Sequence, residues 1–266
     1  MNLLKTRLRA EILCVRFPFH IPKEFSLLGT FIFFWTGLVT AAVLFNLWTV
    51  IAREAFGTFE FKHGNETAEQ EYTEASSTLF NSWAGWAILD RLADLIYLVD
   101  LYIHCTLSFY DHGLLNMSPA AISAKYMQSS QFYLDIFSLF PMEQMGQLYF
   151  QCYHPILRFN RFLKVYRALD WSRIVEQRIS YPNLWRIIHF EHLLFLFCHY
   201  WASFYYMISM AKGFASPWGY PKPEGEWGTF TRKYLICFRW AFMTLTTISD
   251  VEQAQDNIEY ADHFRA

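Results

Sequence analysis

A basic side chain stands at every third position of one apolar stretch, the run ILRFNRFLKVYRAL. The four cations of this series are Arg158, Arg161, Lys164 and Arg167. A charged side chain at the centre of a bilayer costs about 2.5–3.5 kcal/mol on insertion scales, so several in one apolar segment require a compensating role. The common role is that of a voltage-sensor helix, whose cations respond to the membrane field. The run therefore predicts a sensor helix within a membrane.

The alternative for this run is a basic amphipathic helix that lies on a membrane surface or on a soluble protein. In that case the cations would gather on one broad face. A step of three residues turns about 300° on an α-helix, so the series forms a spiral there and lines up only on a 3₁₀ helix. Spacing alone leaves both interpretations open, and the rest of the chain has to distinguish them.

The composition favours a membrane protein. Of the 266 residues, 54% are hydrophobic and 20% aromatic, which exceeds the apolar content of ordinary soluble domains. The net charge of −2 implies no bulk attraction to nucleic acid. The cysteines form no CxxC pair, so neither a zinc site nor a disulfide framework is indicated. His192 and His199 share a helix face, but no further ligands complete a metal site and we expect none.

Several apolar segments reach the length of about 20 residues that a membrane span needs. The predicted spans lie at about residues 26–51, 79–107, 131–150, 154–178 and 185–211. A shorter apolar stretch, 233–248, suits a re-entrant helix. The predicted fold is an all-α membrane protein, in which a voltage-sensor-like four-helix bundle (26–180) precedes a partial pore domain (181–250). Residues 1–25 are expected to form a cytosolic segment and residues 251–266 a C-terminal tail.

Lysines and arginines set the expected orientation. Basic residues precede the first predicted span at Lys5, Arg7, Arg9, Arg16 and Lys23. The loop after that span is instead rich in glutamate, so the N-terminus is expected in the cytosol. Asn65, in the sequence Asn65-Glu66-Thr67, then lies outside and is the expected glycosylation site.

Acidic residues in the second and third predicted spans are candidates to balance the cations. Asp90 and Asp94 are four residues apart and share a helix face, and Asp100 and Asp135 lie at membrane depth. Acids in apolar spans usually pair with cations or line water. We predict all four as counter-charges, with pairing favoured most for Asp94 and Asp135. The alternative is that Asp90, Asp100 and Asp135 are solvated ends of spans.

A pore-like segment follows the fifth predicted span. Residues 232–250 read RKYLICFRWAFMTLTTISD. A helix that ends inside the membrane directs its negative C-terminal end at the pore axis, where it favours a cation. Backbone carbonyls and a ring of carboxylates can then replace the water around the ion. The predicted selectivity filter comprises Thr246, Thr247, Ile248, Ser249 and Asp250. A buried amphipathic helix without a pore is the alternative.

With both segments in view, the chain resembles the transmembrane part of cyclic nucleotide-gated cation channels over about residues 83–250. The resemblance rests on AILDRLADLIYLVDLYI, QFYLDIFSLFP, ILRFNRFLKVYRALDWSRIVEQRISYPNLWRI and the pore segment. Potassium channels and hyperpolarisation-activated relatives share the plan, but they carry GYG in the filter. This sequence has no GYG, which favours weak selectivity among cations.

The resemblance implies a homo- or hetero-tetramer around a central pore in a lipid bilayer, permeable to Na⁺, K⁺ and Ca²⁺. It also implies opening by cGMP or cAMP, weak dependence on voltage, and a place in the plasma membrane, including the ciliary membrane. Principal subunits of the family have Gly then Glu where this chain has Ser249 and Asp250. Selectivity and the distinction between a principal and an accessory subunit therefore stay open.

The sequence after Asp250 reads VEQAQDNIEYADHFRA, without a sixth span or a nucleotide-binding domain. We therefore expect a fragment or a truncated isoform with no cofactor site of its own, and nucleotide binding in a domain outside this sequence. A non-conducting regulatory or dominant-negative subunit that binds full-length subunits is the alternative function. A sensor-only module is disfavoured by the fifth span and the filter-like segment. No nucleophile-elbow pattern supports an enzyme.

Overall fold

The computed structural model describes residues 30–56, 83–107, 109–111, 114–116, 118–150 and 154–248. Helices form nearly all of the regular structure in these ranges. The α-helices, in chain order α1 to α8, are Thr30–Phe56, Trp83–Thr106, Pro119–Met127, Ser130–Leu139, Met142–Phe150, Val165–Arg178, Pro182–Ala211 and Phe230–Thr246. Two 3₁₀ helices cover Pro155–Lys164 and Gly225–Gly228.

One short hairpin accompanies the helices of the expected all-α fold. Strands β1 (Phe109–Asp111) and β2 (Leu114–Asn116) pair antiparallel between α2 and α3. The sequence DHG between two apolar pairs is a turn signal of the kind that joins hairpin strands. A search for long apolar segments passes over it because each strand has only three residues.

Two of the described helices are long and apolar enough to cross a membrane, Phe31–Phe56 and Pro182–Ala211. They coincide with the first and fifth predicted spans. The second predicted span forms the single helix α2, which is interrupted in hydropathy by Asp90, Arg91 and Asp94. The helix itself is unbroken, but these charges need partners from neighbouring helices if α2 is to lie in lipid.

The third predicted span, 131–150, is two helices rather than one. The chain leaves α4 after Leu139 and enters α5 at Met142, because Pro141 has no N–H to donate to the carbonyl of Phe137. The side-chain amide of Asn160 donates to that carbonyl at 3.0 Å and to the carbonyl of Phe140 at 2.7 Å. These carbonyls also accept the backbone N–H groups of Phe140 and Met142, at 3.2 and 2.8 Å, so Asn160 adds a second donor to each and ties the break to the cationic segment.

The described residues pack as two compact units. The first contains 30–46, 83–145 and 157–178, and the second contains 47–56, 146–156 and 179–248, within the described ranges. The sensor-like domain over 26–180 stays a prediction. The end of α1 belongs to the second unit, where the ring of Phe56 lies 4.9 Å from that of Tyr206.

In the first unit, α1 approaches α6 closely. A Cβ at Gly37 would lie 3.1 Å from the indole nitrogen of Trp171, so glycine leaves the room that this contact needs. The guanidinium of Arg178 lies 4.6 Å from the ring centroid of Phe33. These contacts attach the end of the cationic segment to the first helix.

In the second unit, α7 and α8 share a core of aromatic side chains. The rings of Tyr205 and Trp240 stack with centroids 4.1 Å apart, and Cys237 and Ala241 are fully buried beside them. The connection between these helices is tied to the same core. Tyr205 donates a hydrogen bond to the carbonyl of Trp218 at 3.0 Å. Burial raises the pKa of the Tyr220 phenol, whose O–H donates to the carbonyl of Trp227 at 2.9 Å.

Candidate charge ladder and pore segment

The first three predicted sensor cations lie on a 3₁₀ helix, Pro155–Lys164. With three residues per turn, Arg158, Arg161 and Lys164 fall in one line, separated by about 6 Å of rise. An α-helix begins at Val165 and carries Arg167 one turn further along. Because the segment is a 3₁₀ helix, cations spaced three residues apart lie in a straight row along it.

The first rung along the chain is Arg158, which is fully buried. Its Nη1 lies 2.6 Å from Oε2 of Glu143 and its Nη2 lies 2.9 Å from Oδ1 of Asp94. Its Nε lies 3.5 Å from Oδ1 of Asp90. Three carboxylates from α2 and α5 thus surround one guanidinium, and Arg91 adds a second cation at 3.1 Å from Glu143.

The second rung, Arg161, joins two elements. Its Nε lies 3.1 Å from Oδ1 of Asp94 on α2. Its Nη1 donates to the carbonyl of Phe140 and to Oδ1 of Asn160, both at 2.8 Å. The break at Pro141 exposes the Phe140 carbonyl to this guanidinium, so the break and the cationic row support each other.

The last two rungs along the chain, Lys164 and Arg167, share Asp100 and Asp135. Nζ of Lys164 lies 2.7 Å from Oδ2 of Asp100 and 3.6 Å from Oδ1 of Asp135. Nη2 of Arg167 lies 3.0 Å from Oδ2 of Asp135, and its Nε lies 3.5 Å from Oδ2 of Asp100. The indole of Trp35 also donates to Asp100 at 3.1 Å.

The structure brings every predicted cation together with a predicted counter-charge. Asp90, Asp100 and Asp135 are 1%, 1% and 0% exposed, so they are not solvated ends of helices in this arrangement. Removing one partner of a buried pair typically costs about 3–5 kcal/mol because the other charge stays buried and unpaired. The ladder therefore requires the helices to keep their mutual register.

Sequence reasoning missed two members of the ladder, Glu143 and Asn160. Glu143 lies within the predicted third span and carries the same signal as Asp135, an acid in an apolar segment. Asn160, 3% exposed, lies in the RFNR run. Its contact with the helix break depends on tertiary structure, and the sequence pattern contains no signal for it.

The pore-like segment begins with α8, which starts at Phe230 and ends at Thr246, close to the predicted range of 233–248. Thr247 has φ 53°, in the left-handed region, which is unfavourable for a β-branched residue and costs about 1–3 kcal/mol. The N–H of Ile248 donates to the carbonyl of Met243 at 3.3 Å, as at many helix C-termini.

The remaining predicted positions fall outside the described residues. Ser249 and Asp250 of the predicted filter do so, as does the predicted glycosylation site Asn65. Among the described side chains, no group of three or more His, Cys, Asp or Glu could hold a metal ion.

Apolar helices joined by a buried, nearly balanced ladder of charges define an integral membrane protein of the ion-transporting class. The chain belongs to the ion transport protein family, which matches residues 31–261. It is similar to the cyclic nucleotide-gated channel rod photoreceptor subunit alpha of Gallus gallus, at 31% identity over 87% of this chain and 33% of the relative. It is also similar to the cyclic nucleotide-gated channel alpha-2 of Oryctolagus cuniculus, at 30% identity over 87% of this chain and 32% of the relative.

A third similar protein is the cyclic nucleotide-gated channel cone photoreceptor subunit alpha of Gallus gallus, at 29% identity over 85% of this chain and 28% of the relative. These similarities confirm the resemblance that the sequence motifs indicated. The chain spans about a third of the length of the curated relatives it matches. The family is one of ion transport proteins rather than of enzymes.

Proposed function

We propose that this chain is part of a subunit of a cyclic nucleotide-gated, non-selective cation channel. The observation that carries the proposal is the row Arg158, Arg161, Lys164 and Arg167, each with a carboxylate oxygen within 3.1 Å. Such a set of paired charges is neutral enough to lie in a bilayer and is typical of a sensor-like bundle. The similarity to named cyclic nucleotide-gated channels supports the choice within the family.

In this proposal, α1, α2, the pair α4–α5 and the cationic segment form the voltage-sensor-like bundle. Helix α7 is the fifth span and α8 is the re-entrant pore helix. The N-terminus lies in the cytosol and Asn65 lies outside, where it is glycosylated. The excess of Lys and Arg before α1 supports this orientation.

Four subunits, of one kind or of several, surround the proposed pore in the plasma membrane, including that of cilia. The C-terminal end of α8 favours a cation near its last turn. Carbonyls of Thr246, Thr247 and Ile248 replace part of the hydration shell of Na⁺, K⁺ or Ca²⁺, and Asp250 adds a carboxylate. Binding of cGMP or cAMP to a domain outside this sequence opens the pore.

Recording from excised patches tests the proposal directly. The complete native protein is expressed in cells, and cGMP or cAMP is applied to the cytosolic face while cation currents are measured. We expect a nucleotide-dependent current whose block by external divalent ions weakens at least severalfold in Asp250→Asn. Asp256→Asn, which removes an acid just beyond the predicted filter, is the matched control and should leave the block unchanged. Equal block in both variants would exclude Asp250 from the filter.

A non-conducting regulatory subunit is the second candidate, and the replacement of the family's Gly and Glu by Ser249 and Asp250 favours it. In that case the protein expressed alone passes no current when cGMP or cAMP is applied. Co-expression with a complete subunit would then reduce that subunit's current, and the two proteins would co-purify. Co-purification together with a current from the chain alone would return the interpretation to a conducting subunit.

A further inference from the structure

The buried histidine His199 connects three helices of the second unit. It stands on α7 and is 2% exposed. Its Nε2 lies 2.9 Å from the backbone carbonyl of Trp48 on α1, and its Nδ1 lies 3.0 Å from the hydroxyl of Tyr234 on α8. Both ring nitrogens therefore have partners, and the partners belong to two other helices.

The chemistry of the partners fixes the tautomer of this ring in its neutral form. A carbonyl oxygen only accepts, so Nε2 of His199 carries the hydrogen and donates it to Trp48. In the neutral ring Nδ1 then has a lone pair, and it accepts the hydrogen of the Tyr234 hydroxyl. The arrangement uses one tautomer and leaves neither nitrogen free for a metal ion or a ligand.

Ring contacts hold the same side chains in place. The imidazole of His199 lies 4.7 Å from the ring of Trp48 and 5.7 Å from that of Tyr234. Tyr234 in turn packs edge-on against Phe56 of α1, with centroids 5.6 Å apart. The first turn of α8 is thereby fixed against α1 and α7 through both polar and apolar contacts.

A neighbouring bond provides a natural comparison. Tyr200, the next residue of α7, donates from its hydroxyl to the carbonyl of Leu47 at 3.1 Å. This bond also links α7 to α1 through a backbone carbonyl, but its donor and acceptor both lie outside α8. The Tyr200 bond links only α7 and α1, whereas His199 also links these helices to α8. Comparing the two bonds therefore distinguishes the attachment of α8 from that of α7 to α1.

We propose that His199 is a positioning residue for ion permeation, which sets the depth of α8 and hence the position of the carbonyls of Thr246, Thr247 and Ile248. This inference rests on the proposed function of α8 as a pore helix. A rigid helix transmits a displacement of its first turn to its last turn, and Thr246 ends the helix that Tyr234 anchors near its start.

Four single substitutions in the complete channel test the proposal. Tyr234→Phe removes the arm to α8 and keeps the ring, and His199→Phe removes both arms. His199→Gln retains a donor and an acceptor at similar separation, and Tyr200→Phe removes only the neighbouring bond between α7 and α1. We expect at least a twofold change in unitary conductance in Tyr234→Phe and His199→Phe. His199→Gln and Tyr200→Phe should stay close to the native value.

Hydrogen exchange of the purified protein keeps the test independent of current. Peptides from residues 230–246 should exchange at least threefold faster in Tyr234→Phe than in Tyr200→Phe. If the native protein passes no current, the proposed function fails, and this comparison alone decides the role of His199. The same exchange in both tyrosine variants, or the same conductance in both where current exists, would overturn the proposal.

Discussion

Asp135 is a single carboxylate that contacts the last two cations of the charge ladder. It is fully buried, and hydroxyls and cations from three elements surround it. Its partners are Tyr126, Tyr166, Lys164 and Arg167. The two tyrosines donate neutral hydrogen bonds, whereas the two cations need the negative charge itself.

We expect Asp135→Asn to lower the free energy of unfolding by about 3–5 kcal/mol, since it leaves the charge of Arg167 without its nearest partner in a buried site. The amide keeps the size of the side chain, and its single oxygen can still accept from one of the two tyrosines. The loss therefore reports mainly on charge. Asp170→Asn is the matched control, because Asp170 pairs with Arg173 at 3.0 Å with both side chains exposed. That variant should lose only about 0–1 kcal/mol. Unfolding in detergent measures both, and equal losses would contradict a structural role for the buried charge.

At the scale of elements, the break between α4 and α5 and the cationic segment form one structure. The carbonyls of Phe137 and Phe140 accept backbone N–H groups within the break, and the side-chain amide of Asn160 donates to both of them as well. A typical hydrogen bond contributes about 0.5–1.5 kcal/mol to stability. Asn160 therefore ties the break to the cationic segment through two hydrogen bonds.

We expect Asn160→Ala to lower the free energy of unfolding by about 1–3 kcal/mol, because it removes two hydrogen bonds to the carbonyls at the break and the acceptor that Asn160 offers to Arg161. Hydrogen exchange in the peptides of residues 130–150 should also become faster. Asn183→Ala is the control: Asn183 is exposed, and its side-chain oxygen accepts from Arg186 at 3.5 Å. A loss in Asn160→Ala no larger than that of the control would contradict a structural role for Asn160 at the break.

Sequence patterns predicted the elements better than their junctions. The length of the apolar segments predicted α1 and α7. The acids of α2 were predicted as counter-charges because they lie in an apolar segment. Pro141 marked a break, but only tertiary contact shows that Asn160 completes it. Similarly, the spacing of the cations showed that they would align only on a 3₁₀ helix, but local propensity could not decide whether that helix forms. Ion pairs with other helices stabilise the 3₁₀ helix, and the sequence of a single segment does not reveal those pairs.

At the scale of the whole molecule, the ladder has only one favourable register. The three-residue repeat continues to Pro155 on one side and to Asp170 on the other. If the segment moved by one rung along its own axis towards its C-terminal end, Pro155 would enter the group of acids that surrounds Arg158. A step in the opposite direction would bring Asp170 to the place of Arg167, beside Asp100 and Asp135, where like charges repel.

The membrane field is too weak to drive such a step. One rung is about 6 Å of the roughly 30 Å hydrocarbon core, so four cations together move about 0.8 of a charge across the field. At about 2.3 kcal/mol per charge for 100 mV, the field supplies about 2 kcal/mol. The loss of one buried pair alone costs about 3–5 kcal/mol. Opening of the proposed channel should therefore depend little on voltage.

Adding a fifth cation at position 170 should make a second position of the cationic segment more favourable. In Asp170→Lys, a step in this second direction places a cation beside Asp100 and Asp135, so attraction replaces repulsion at that end of the ladder and the cost of the step falls. We expect open probability at a fixed nucleotide concentration to depend more strongly on voltage in this variant than in the native protein. Asp170→Asn removes the repulsion without adding a cation, and it should remain nearly flat. The measurement is the conductance–voltage curve over about 100 mV on either side of zero. Flat curves in both variants would mean that the contacts of Arg158, rather than the end of the repeat at Asp170, hold the segment in place.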